Sequence, residues 1–182
     1  NKAVGDGYAD LKSFFLAAKF SYKIIQKLSA NVGVDYYSGS DAAIDAEKSN
    51  TFNRLYGATH SFNGNMEYFV TLPTQGLIDY YGGVTAIITP KLSADLSGHL
   101  FYFDKDFIYK NEKTDKNLGT ELDVVLNYSV SKEIAIQGGY SHYFNSGTTM
   151  KYYKMQGVEA HPQQWAYVML TIKPQFYKTP QN

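Results

Sequence analysis

A two-residue period that keeps charge off one parity dominates this sequence. Over residues 11–23 one parity reads Phe14, Leu16, Ala18, Phe20 and Tyr22, while the other reads Ser13, Phe15, Ala17, Lys19, Ser21 and Lys23. Successive side chains of a strand point to opposite faces, so this segment predicts a strand with one apolar face. The same grammar recurs over 28–37, 78–88, 92–100, 118–128, 134–141 and 164–177. Lys19, Asp35, Asp79, Asp95, Glu121, Asp123 and Lys173 all fall on the polar parity. Short turns at 25–27, 89–91 and 130–133 join the strands in antiparallel pairs, and longer connections span 38–75, 104–117 and 145–163. The stretches KIIQKLSANVGVDYY, TPKLSADLSGHLFYF and VSKEIAIQGGYSHYF share one pattern, a Lys-bearing turn followed by small and aliphatic residues and then aromatics. This is a supersecondary repeat.

Composition narrows the function classes. The 182 residues correspond to one domain. Lys plus Arg number 17 and Asp plus Glu number 17, a balance that offers no electrostatic footprint for nucleic acid. The absence of Cys excludes disulfides, thiolate zinc sites and cysteine nucleophiles. No apolar run reaches the ~18 residues of a transmembrane helix, which leaves transmembrane strands open. The N-terminus lacks Met, a charged leader and an apolar stretch, so a removed signal peptide or a start inside a longer chain is expected.

Alternation alone also fits a soluble β-sandwich with one wet face. Three features favour an all-β, antiparallel transmembrane β-barrel. The strands exceed the ~5–6 residues of soluble sheets and match the ~9–11 that cross a bilayer at a tilt. Aromatics gather toward strand ends, at Tyr22, Tyr36, Tyr37, Tyr102, Phe103, Tyr128, Tyr143, Phe144, Trp165 and Phe176, as interfacial girdles require. Charge is segregated to one parity, and a charge at the bilayer midplane costs about 2–4 kcal/mol. Short turns would be periplasmic and long loops extracellular, with the whole chain, 1–182, a single barrel domain. Seven strands is an odd number where single-chain bacterial barrels are even, so a C-terminal portion of a larger barrel, or completion by a partner chain, is expected.

The segments LYGATHSFNGNMEYF from Leu55, LGTELDVVLNYSVSKEIAIQGGYSHYF from Leu118 and WAYVMLTIKPQFY from Trp165 resemble the C-terminal half of the alginate-export-like porins of Bacteroidetes-type bacteria. The resemblance implies a Gram-negative outer-membrane porin of about 18 strands when complete, passing small solutes or saccharides passively through a polar lumen. It also implies membrane lipid as a partner, with other outer-membrane proteins or further copies of the chain as neighbours. A polyanion channel should be lined with Arg and Lys. Here the lumen parity is acidic, which suits cations or neutral solutes better.

Lys19, Asp35, Asp79, Asp95, His99, Glu121, Asp123 and Lys173 are the expected lumen-lining residues. The 38–75 connection is expected to be a constricting extracellular loop carrying Arg54, His60 and Glu67, with a helical turn near 65–69; an eighth strand over 60–69 is the alternative. His60, His99, His142 and His161 lack metal-ligand spacing, and Asp104-Lys105-Asp106 lacks the later ligands of a calcium loop, so no metal or cofactor is expected. Ser141 and His142 are adjacent strand residues that face opposite ways and cannot pair, so no enzyme is expected. The competing classes are a non-conducting, structural or partner-binding barrel and a soluble β-sandwich.

Overall fold

The computed structural model describes residues 2–4, 7–41, 48–54, 63–154 and 163–175. The protein is all-β, with one short helix. In chain order its elements are β1 (Lys2–Val4), β2 (Gly7–Leu11), β3 (Phe15–Ile25), β4 (Leu28–Tyr37), β5 (Lys48–Ser49), β6 (Leu77–Thr89), β7 (Leu92–Tyr102), β8 (Ile108–Tyr109), β9 (Glu112–Lys113), β10 (Asn117–Ser129), β11 (Ile134–Asn145), α1 (Gly147–Tyr152) and β12 (Gln163–Ile172).

Seven strands form one sheet in the order β12-β11-β10-β7-β6-β4-β3, every neighbour antiparallel. Consecutive long strands therefore lie side by side, as the short turns at one end dictate. Among the described residues β3 and β12 are the sheet's edges. β1, β2 and β5 make a small separate sheet, and β8–β9 a short hairpin.

Register carries the alternation across the whole sheet. Tyr22 stands opposite Ala30, then Val84, Leu96, Val124, Tyr140 and Ala166. One strand parity thus becomes one sheet face, and this face is bare: Phe20 is 66% exposed and Val168 82%. The other face is covered at the end away from the short turns. There Tyr37, Phe69, Leu77, Phe101, Phe103, Leu118 and Tyr143 form a core, with Phe52, Met66, Tyr68, Leu72, Phe107 and Tyr152 packed against it.

The three long connections build that cover. Gly39 and Gly76 lie where the 38–76 connection leaves and rejoins the sheet, so close that a Cβ on Gly39 would overlap the Gln75 carbonyl. Gly76 also has φ +74, a conformation that Gly tolerates best. Asp104 Oδ2 accepts from Gly39 N at 3.0 Å, tying the second connection to the first. The third contains α1, started by the Ser146 N-cap, whose Oγ accepts from Thr149 N at 3.1 Å. Thr149 Oγ1 and Tyr143 Oη both donate to the Leu118 carbonyl, pinning the helix to β10.

Several expectations change. Leu118, assigned to the apolar parity, is fully buried on the covered side, because the ladder slips between Asn117 and Gly119 and Gly119 has φ +122. A bulge shifts parity by one residue. Among the expected girdle, Tyr37, Phe103 and Tyr143 are buried in the core, and Trp165 takes the covered-face parity and stacks on Tyr167 at 4.7 Å. Residues 65–69 form turns rather than a helix or an eighth strand, the helix lies at Gly147–Tyr152 instead, and the last strand ends at Ile172. Phe176 lies outside the described residues.

Candidate functional site

Pairing brings the acidic strand residues together on the covered face. Asp35 is the direct partner of Asp79, His99 of Tyr81 on one side and Glu121 on the other, and Asp123 of Ser97 and Ser141. His99 Nδ1 lies 2.9 and 3.0 Å from the two Asp79 oxygens, and its Nε2 lies 3.9 Å from Asp123 Oδ2. When Asp79 is ionised its carboxylate only accepts, and Nδ1 is then the donor. The imidazole is further held between Tyr81 and Phe101, stacked at 5.7 and 5.6 Å. Asp35, Asp79, Glu121 and Asp123 are all buried. Arg54 comes from the first connection, its guanidinium 4.6 Å from the Tyr37 ring centre, and it acts electrostatically on Asp35 and Asp79.

Glu121 anchors the loop above it. Its Oε1 accepts from Met66 N at 2.7 Å, within a run where Asn63 has φ 66, Gly64 φ 82 and Glu67 φ 58. Left-handed residues turn successive backbone N–H groups toward one acceptor, the geometry of an anion nest. A Cβ on Gly64 would sit 2.6 Å from the Glu121 carboxyl, so only glycine lets the loop settle this close. Phe69 then packs at a tilt against Phe101 at 4.8 Å, and Tyr68 stacks on Tyr143 at 4.2 Å.

Toward the short turns the same face is open and its polar groups bond to one another. Thr85 Oγ1 donates to Asp95 at 2.6 Å, Asn127 Nδ2 to Asp95 at 2.9 Å, Gln137 Nε2 to Asn127 at 2.7 Å and Tyr167 Oη to Gln137 at 2.7 Å. This ladder crosses β6, β7, β10, β11 and β12. Between it and the loop lies a cavity of about 620 Å³ whose walls include Lys19, Asn31, Asp35, Asn63, Asp79, Tyr81, Asp95, Ser97 and His99.

Of the residues singled out in the sequence, Lys19, Asp35, Asp79, Asp95 and His99 share this cavity. Glu121 and Asp123 lie beneath the loop. Lys173 is exposed just past β12, its backbone N–H donating to Glu133 O at 2.8 Å. Glu67 is exposed on the loop and borders a separate cleft with Tyr68, Gln164 and Trp165. His60 and His161 lie outside the described residues. His142 faces the bare side, 4.3 Å from Phe144, while Ser141 is buried on the other. The sequence missed Asn63, Tyr81 and the Ser97 wall; a Tyr on the polar parity directly opposite His99 was the available signal.

In the second connection Lys113 lies 2.7 Å from Asp106 and holds its carboxyl below the ordinary value of 3.8. Burial raises the phenols of Tyr68, Tyr152 and Tyr153 above the usual tyrosine range. No group of three or more His, Asp or Glu among the described residues is arranged to hold a metal ion. No family model matches the chain, and no curated protein matches it either.

Proposed function

We propose that the seven-stranded sheet is wall of an outer-membrane β-barrel in a Gram-negative bacterium, an alginate-export-like channel in architecture, which passes small solutes passively along its covered face. The bare face carries the reading. Across seven strands in continuous register its residues are aliphatic, aromatic or small with a few neutral polar ones, and none is Asp, Glu, Lys or Arg. Apolar patches of this extent mark a surface meant for another apolar phase. A hydrocarbon phase satisfies it, and the charged residues stay on the face turned to water.

Lipid also demands that backbone groups at the β3 and β12 edges be paired, with each other or with further strands. Cations and neutral solutes suit the route better than polyanions, because Asp35, Asp79 and Asp95 border the cavity. A second reading, a barrel closed by its own loop and non-conducting, draws on the Met66–Glu121 bond and the aromatic packing above it.

Conductance separates these readings. The detergent-folded full-length protein should give single-channel steps in a planar bilayer with cation preference in a salt gradient, and neutralising Asp35, Asp79 and Asp95 together should move the reversal potential toward zero. A silent bilayer favours the plugged barrel. A protein that stays dispersed without detergent removes the membrane reading altogether.

A further inference from the structure

Two polar side chains stand at the cavity between the loop and strands β3, β4, β6 and β7, one buried without a partner among the described residues and one held by charge alone. Asn63 is 3% exposed, and neither its amide nitrogen nor its amide oxygen meets a hydrogen-bond partner among the described residues. Asp35 is 6% exposed; Arg54, His99 and Lys19 act on its carboxyl through charge, and no hydrogen bond from the described residues reaches it. A buried amide left unsatisfied is costly, and Asn63 borders the same space as the Asp35 carboxylate. We propose that this cavity is a recognition subsite for a neutral polyhydroxylated molecule of mono- or disaccharide size.

The unsatisfied groups define the ligand. Asp35 asks for a donor, while Asn63 offers two N–H donors and a carbonyl acceptor and so asks for both kinds of partner. A hydroxyl is the simplest group that supplies both. An ammonium group or a metal ion satisfies Asp35 and leaves the Asn63 N–H groups idle, and no three-ligand metal set lies among the described residues. A carboxylated ligand serves Asn63 but brings negative charge against Asp35 and Asp79. Volume agrees, since about 620 Å³ falls within the ~300–1,000 Å³ of small-molecule sites.

The walls complete the match. Tyr81, braced by His99 at 5.7 Å, presents an aromatic wall against which the C–H face of a sugar ring can pack. Lys19 Nζ stands 5.8 Å from the same ring and supplies a further donor. Asp79 is already hydrogen-bonded by His99, which keeps one carboxylate fixed beside Asp35, whose oxygens accept no hydrogen bond from the described residues.

The inference rests on the channel reading for the route by which a solute reaches this wall, but binding is measured without conduction. Detergent-folded full-length protein is titrated calorimetrically with glucose, maltose, glucosamine and glucuronate. Glucose or maltose should bind at least tenfold more tightly than glucuronate, and glucosamine no more tightly than glucose. Asp35→Asn, a near-isosteric change, and Asn63→Gly, which suits φ 66, should each weaken neutral-sugar binding at least tenfold while thermal unfolding stays unchanged. Preference for glucosamine or glucuronate, no binding by any sugar, or equal binding by well-folded variants overturns the proposal. The wild-type series decides even if a variant fails to fold. Conductance without sugar binding sinks the subsite and spares the channel; sugar binding in a silent bilayer does the reverse.

Discussion

The bare and covered faces of the sheet are threaded by the same seven strands, yet they solve opposite problems. On the bare face neighbouring side chains meet mostly other apolar groups, and large ones such as Phe20, Leu96 and Val168 stay exposed among the described residues. On the covered face every strand contributes a polar or charged group, and each half treats these differently. Near the short turns Thr85, Asp95, Asn127, Gln137 and Tyr167 satisfy one another across five strands. Near the long connections Asp79 is held by His99, and Glu121 is answered by backbone from a loop folded over the sheet. Alternation decides which residues are polar-facing. What those residues then do is decided by what lies above them.

The most direct way to break the contrast between faces uses two adjacent valines. Val124 lies on the bare face in register with Leu96 and Tyr140, and Val125 on the covered face opposite Asp95. Val124→Arg should cost about 2–4 kcal/mol in lipid, the penalty of a midplane charge. Val125→Arg gains a carboxylate neighbour and should cost no more than about 1 kcal/mol, the scale of an ordinary surface change. Urea unfolding in bilayers measures both. Equal penalties would mean that the two faces meet the same surroundings.

The contrast within the covered face is sharpened by Gly64→Ala. A Cβ there collides with the Glu121 carboxyl at φ 82, so the loop should lift, at a cost of about 1–3 kcal/mol for the strained backbone. Limited proteolysis should then cut within 63–70, and single-channel conductance should rise. Protection equal to that of the unmodified protein would show that the aromatic packing alone holds the loop down.

Asn127→Ala should have the smallest effect. It removes one bond to Asp95 and one from Gln137, each worth about 0.5–1.5 kcal/mol, and Asp95 keeps its Thr85 partner on a face that water can reach. Unfolding in urea should report a loss near the lower end of that range, with loop protection unchanged. A loss as large as that of Gly64→Ala would mean that the turn half is as closed as the loop half.

The sheet was legible in the sequence because a single physical demand, one dry face and one polar face, is written at every second residue of all seven strands. Asp35, Asp79, Asp95 and His99 were legible as neighbours in function for the same reason, since parity alone puts them on one face. Leu118 escaped because a bulge at Gly119 moves it to the other face, and no local pattern announces that slip. The docked loop escaped because Asn63, Gly64 and Glu67 adopt left-handed backbone to meet Glu121, a partner far away in the sequence. Tyr37 and Tyr143 looked like girdle residues for want of any sign that Phe52 and Tyr68 would come down upon them. The helix at Gly147–Tyr152 is a single turn and a half held by a Ser146 cap and by Leu118, and so short a segment carries no amphipathic signature of its own.

The crossing of Gly39 with Gln75 and Gly76 gives the first connection a narrow neck. Apart from Phe52 and the 63–69 stretch that pack on the sheet, what lies beyond that neck can be lengthened or shortened without moving a strand, because entry and exit are clamped at one point. The neck makes the excursion a cassette, so descendants of this protein could change what covers the sheet while inheriting its strands intact.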